Sequence, residues 1–254
     1  MTITEIALAG VIICLAGVGQ SAIGFGYALF ATSPLVWIGL PLPQVIAIVS
    51  TCSLVQAAFG VRHLRAETPW RQVWTTTAIR LASMIGGVIL LKQLVTLDVD
   101  KIKLTVGGIL CVMVAAQLLC RPRPVPKLAW GWGALAFVSS GVVAGICGMG
   151  GPPLVIWSMA HDWSALKTRA FLFAVFATAI PVQLVILALA FGTQILWAVA
   201  IGLAFLPLVW LGTLVGLPIG NRLPKETLRN IAYAILLVIG LSTVLPAVVA
   251  AVRH

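Results

Sequence analysis

The chain has 254 residues, 61% of them hydrophobic and 9% charged, with a mean hydropathy of +1.13. Soluble domains run roughly 45–50% apolar and about 25% charged, so a water-soluble globule and a disordered chain are both excluded. The formal charge of +10 comes without a basic run, an RNA-type aromatic signature or a zinc spacing, which argues against nucleic acid and places the surplus Lys and Arg in cytoplasmic loops.

The N-terminal MTITEIALAG lacks the positive n-region of a secretory signal and is expected to stay on the mature protein. A helix needs about 20 apolar residues to cross the hydrocarbon layer. The first apolar stretch, 5–40, is too long for one span and is interrupted by Gly17-Val18-Gly19-Gln20-Ser21-Ala22-Ile23-Gly24-Phe25-Gly26. It reads as two short helices joined by a non-helical tip, the second beginning near Gly26 and running toward Trp37. Spans follow at 43–61, 71–91 and 103–120. The stretch 128–160 is broken in the same way, at Gly145-Ile146-Cys147-Gly148-Met149-Gly150-Gly151-Pro152-Pro153. Proline is favoured in the first turn of a helix, so a short helix should begin there and run to about Met159. Spans at 165–190, 194–216 and 228–251 complete the chain. The fold class is all-α: a polytopic membrane protein of eight to ten helices. Cys14, Cys52, Cys111, Cys120 and Cys147 are scattered singly through apolar segments and read as small packing residues.

The pattern of broken stretch, span, span, span occurs twice, dividing the chain into residues 1–124 and 125–254. Leu81–Leu119 resembles Leu211–Leu245: in each, a glycine-bearing span ends in a polar hairpin and a second span follows. Weak internal symmetry of this kind marks transporters built from two repeats. Positive-inside counting then gives their relation. If each broken stretch starts and ends on one side, Arg62, Arg65, Arg71, Arg121, Arg123, Lys127, Lys167, Arg169, Arg222, Lys225 and Arg229 share a face, against Lys92, Lys101, Lys103 and Arg253. That bias puts the N-terminus outside and makes the halves inverted repeats. The count leaves open whether each broken stretch is re-entrant or crosses fully. Trp37, Trp70, Trp130, Trp132, Trp163 and Trp197 fall near span ends, where indoles prefer to sit.

Helix N-termini carry unpaired N–H groups and partial positive charge, and glycines let a ligand approach the backbone. The two tips are therefore expected to form a substrate site from Gly24, Phe25 and Gly26 and from Gly148, Met149, Gly150, Gly151 and Pro152. Close helix packing is the competing explanation for the glycines. Arg80 lies near the middle of its span, where a charge is costly and usually marks a cavity or an ion path. All six acids (Glu5, Glu67, Asp98, Asp100, Asp162, Glu226) lie at span ends or in loops. Arg80 must therefore be satisfied by carbonyls, water or a bound anion, with Thr75, Thr76 and Thr77 one turn away. Gln20, Ser21, Ser50, Thr51, Ser53, Gln56, Thr178 and Gln183 are further polar groups in apolar stretches, among which Ser21, Thr51 and Gln56 are expected to line the site. No motif calls for a cofactor or a metal. His63 and His161 flank spans and read as interfacial residues.

Layout and motifs resemble the sulfite exporter TauE/SafE family of membrane transporters over essentially the whole chain. The resemblance rests on Gly24-Phe25-Gly26 leading to Pro34, and on Gly148-Met149-Gly150-Gly151-Pro152-Pro153. It rests also on the hairpin from His63-Leu64-Arg65 to Trp70-Arg71, and on the stretch from Gly212-Thr213-Leu214-Val215-Gly216 to Asn221-Arg222-Leu223. It implies an inner-membrane carrier that moves sulfite, sulfoacetate or related organosulfonates outward. The partners expected are a small anionic substrate and membrane lipids, not nucleic acid; proton coupling and oligomeric state stay open. The rival readings are a passive anion channel, a non-transporting assembly or sensor protein, and a membrane-embedded enzyme. The last needs a nucleophile with a base, or metal ligands, within the bilayer. Histidines confined to segment ends argue against it.

Overall fold

Without water, a lipid-embedded backbone must satisfy its N–H and C=O groups internally, which selects helices for this composition. The computed structural model describes residues 3–23, 26–120, 125, 128–222 and 234–241. Among them there is no strand, only an isolated bridge between Val125 and His161. In chain order the helices are α1 (Ile3–Ile23), α2 (Tyr27–Trp37), α3 (Leu42–Leu64), α4 (Trp70–Leu94), α5 (Val99–Leu119), α6 (Trp130–Cys147), α7 (Gly151–Met159), α8 (Ala165–Phe191), α9 (Gln194–Ala204) and α10 (Leu206–Arg222). Residues 234–241 are helical as well. Six helices are long and apolar enough to cross a membrane, and α9 with α10 supplies a seventh, bent span. The chain is a multi-pass membrane protein.

The short helices start where the glycines and prolines put them. Gly26, at φ 99°, precedes α2, and Gly148, at φ 76°, ends α6 with its N–H on the Ala144 carbonyl at 3.0 Å. Both angles lie in the left-handed region that glycine enters without a Cβ penalty. The first arms are longer than the sequence suggested: α1 has 21 residues and α6 has 18, against 11 in α2 and 9 in α7. At 1.5 Å per residue, α2 and α7 reach only about half of a ~30 Å hydrocarbon layer. Gly17 does not break α1 because its bare Cα serves packing: a Cβ there would lie 3.2 Å from the Val209 carbonyl of α10.

A second difference concerns 194–216. It is two helices bent by 45° at Phe205. Pro207 has no N–H to give the Leu203 carbonyl, so the helix cannot run through.

The long helices pair as α4 with α6, α1 with α10, and α3 with α8 at the centre, with α4 also on α8 and α3 on α9. Small residues make these approaches close, as in other membrane helix pairs. Gly145 of α6 meets Gly87 of α4, and Gly216 of α10 meets Ser21 and the Val18 carbonyl of α1. The outer surface is apolar, with Leu119 and Leu189 each 83% exposed. Trp37, Trp130, Trp132 and Trp197 are also exposed, whereas Trp157 is buried among Phe137, His161, Trp163 and Phe171.

Candidate anion site

Arg80 occupies the middle of α4 and is 2% exposed. Its Nε and Nη1 have no hydrogen-bond partner among the described residues. The guanidinium lies over the ring of Phe176 of α8, with the ring centre 5.5 Å away. A buried charge without a partner is strongly destabilising, so stability gives no reason for Arg80. Its N–H groups are spare donors.

A cavity of about 50 Å³ opens beside it. That volume exceeds the ~10–15 Å³ one water needs and suits a compact oxyanion. Both tips supply walls: Gly26, Tyr27 and Ala28 from the start of α2, and Gly148, Met149, Gly151 and Pro152 from the start of α7. The N–H groups of Tyr27, Ala28 and Leu29 belong to the first turn, before intrahelical acceptors become available. In α7 the same turn has only Gly151 as a donor, because Pro152 and Pro153 carry no N–H. Both helices direct their positive ends here, but the amide donors come mainly from α2.

Further contacts hold the second tip in place. Ser140 Oγ donates to the Gly150 carbonyl at 2.5 Å, and Gln183 Nε2 donates to the Ala144 carbonyl at 3.4 Å. Gly150 lets the tip close on α6, since a Cβ on it would collide with the Ser140 carbonyl and the Ala144 Cβ, and it would also stand 3.1 Å from Arg80 Nη2. Thr77 and Thr178 share a hydrogen bond at 2.9 Å that joins α4 to α8. Thr75 instead donates back to the Arg71 carbonyl.

Of the residues singled out in the sequence, Arg80, Gly26, Gly148, Met149 and Gly151 come together around this cavity, with Gly150 against the arginine. Gly24 and Phe25 lie outside the described residues. Ser21 and Gln56 line a second cavity, of about 570 Å³, between α1, α3, α8 and α10. There Ser21 Oγ donates to the Gly17 carbonyl at 2.8 Å, and Gln56 Nε2 to Thr213 Oγ1 at 3.0 Å. Thr51 lines neither: its Oγ1 donates to the Ala47 carbonyl and its Cβ packs on Gly202 of α9. Gln20, Ser50, Ser53 and Gln183 take the places expected for Ser21, Thr51 and Gln56. Gln20 is 6% exposed, with its Oε1 lacking a partner.

Long apolar helices around a buried cationic cavity, with half-length helices aimed into it, define a polytopic α-helical membrane transporter. The family model of the sulfite exporter TauE/SafE matches residues 9–243, and the chain belongs to that family. It is 28% identical over 234 residues to the probable sulfite/organosulfonate exporter TauE of Cupriavidus necator (strain ATCC 17699), covering 90% of each chain. No solved structure matches.

Proposed function

We propose that this protein exports a small sulfur-containing anion, sulfite or an organosulfonate such as sulfoacetate, across the cytoplasmic membrane. The observation that carries the reading is the Arg80 guanidinium, buried with unpartnered N–H groups at a cavity walled by two helix starts. A sulfonate or sulfite presents several acceptor oxygens to match a guanidinium and convergent amides. The similarity to the probable sulfite/organosulfonate exporter of Cupriavidus necator points the same way.

The carrier works by alternating access between two inverted repeats, residues 1–124 and 125–254, with the N-terminus outside. Matched packing supports this division. α1 lies on α10 as α6 lies on α4, and α3 lies on α9 as α4 lies on α8, so each contact has a counterpart when the halves are exchanged. Rocking one repeat-derived bundle against the other then exposes the site to each side in turn.

Proteoliposomes loaded with labelled sulfoacetate or sulfite test the reading. Saturable efflux accelerated by unlabelled substrate on the far side is expected, and this counterflow separates a carrier from an open anion channel. Absence of flux for both anions, in protein that binds neither, overturns the assignment.

A further inference from the structure

The two cavities share two side chains, Gln20 of α1 and Phe173 of α8. Around them, two helix faces run continuously from one cavity to the other. On α8, Arg169 and Phe173 line the larger cavity, and Phe173, Phe176, Ile180 and Gln183 line the smaller. Their spacing of three and four residues makes one stripe. On α3, His63, Gly60 and Gln56 line the larger cavity and Ser53 and Ser50 the smaller, again as one stripe. From Gly60 to Ser50 this covers about 15 Å at 1.5 Å per residue.

The walls of the larger cavity are largely apolar, yet they carry polar groups level by level. Arg169 and His63 are exposed at its outer end, and Gln56, Thr213 and Ser21 follow. Gln20, with its unpartnered amide oxygen, stands where the cavities meet. That junction is narrowed by Phe173, whose ring lies against Gly60 in the space a side chain there would fill. No hydrogen bond holds a phenyl ring, so rotation about its χ1 opens the junction without breaking a polar contact.

We propose that the α3–α8 crevice is the route by which the anion reaches Arg80 from the cation-rich face, with Arg169 drawing it into the mouth and Phe173 closing the inner end against Gly60. The proposal rests on the reading of the Arg80 cavity as the anion site. A cationic residue at the mouth of a low-dielectric cleft raises the local anion concentration and the rate of arrival.

The test is the reaction rate of a Ser53→Cys protein with the anionic, membrane-impermeant reagent 2-sulfonatoethyl methanethiosulfonate. Inside-out and right-side-out vesicles are compared, with the labelling of the protein lacking that cysteine subtracted. Labelling is expected from the face bearing Arg169 and not from the other. Phe173→Ala should raise the rate about tenfold by removing the barrier, and Gly60→Ala should raise it too, since the added Cβ drives the ring from its seat. Phe173→Leu substitutes if Phe173→Ala does not insert. Arg169→Gln should lower the rate about threefold. Labelling from the opposite face, or rates unchanged in both the Phe173 and Gly60 variants, overturns the route; the latter is the result expected of a crevice filled by a lipid chain. Titration of sulfoacetate against the unsubstituted protein separates the two claims. Absent binding with normal labelling overturns the Arg80 site alone, and normal binding with insensitive labelling overturns the route alone.

Discussion

Arg80 on α4 holds its guanidinium 5.5 Å from the centre of the Phe176 ring on α8. That contact supplies no hydrogen-bond acceptor, so Nε and Nη1 stay available to oxygen acceptors. The two helices are pinned to each other nearby by Thr77 and Thr178. The charge is therefore positioned by packing and left unspent in hydrogen bonding.

Replacing Arg80 with Gln should lower sulfite and sulfoacetate affinity about 100-fold or more, given roughly 1.5–3 kcal/mol per charge-assisted hydrogen bond. The thermal midpoint in detergent should hold or rise, because removing an unpartnered buried charge breaks no pair. Calorimetric titration and thermal unfolding of the same sample check both. Normal binding by the variant would falsify the role given to Arg80.

Phe176→Leu keeps the bulk and removes the ring face. Affinity should fall about three- to tenfold, in line with a cation–π contact of roughly 1 kcal/mol. The same titration measures it, and an unchanged affinity means the ring only fills space.

Adjacent glycines in α4 should behave oppositely. A Cβ on Gly87 would collide with the Val142 carbonyl and stand 2.9 Å from the Gly145 Cα, whereas Gly86 has nothing within 4 Å. Gly87→Ala should destabilise by about 1–3 kcal/mol through overpacking. Gly86→Ala should be neutral or stabilising by up to about 1 kcal/mol from helix propensity. Unfolding midpoints of the two variants in one detergent decide it.

Thr77 and Thr178 should show a small positive coupling. A double-mutant cycle with Val at each position should give about 0.6 kcal/mol, the usual size for hydrogen bonds between membrane helices. Additive effects mean that each hydroxyl is satisfied within its own helix.

The backbone breaks were legible because they are written in residue types with special geometry. Gly26 and Gly148 mark the left-handed turns, and Pro152-Pro153 marks the start of α7. Arg80 was legible because a charge amid apolar residues stands out at any orientation. Facing was not. In a helix apolar on every side, hydrophobic periodicity does not report which side meets the protein centre. Ser50 and Thr51 are neighbours in sequence, and a turn of about 100° sends one to the cavity and the other against Gly202. Gln20 and Ser21 part in the same way, with only Gln20 reaching the Arg80 cavity. The bend between α9 and α10 had a signal in Pro207, which the length of the apolar run outweighed.

The fixed positive charge of Arg80 in the interior also sets a rule of valence. A monoanion cancels it, while a dianion leaves the occupied centre negative. Each uncompensated elementary charge that moves through the whole membrane field carries about 2.3 kcal/mol per 100 mV. On the proposed cycle a centre loaded with a monovalent sulfonate turns over with little sensitivity to voltage. The empty centre does not, so the membrane potential acts on the return stroke and draws the unloaded guanidinium back toward the negative interior.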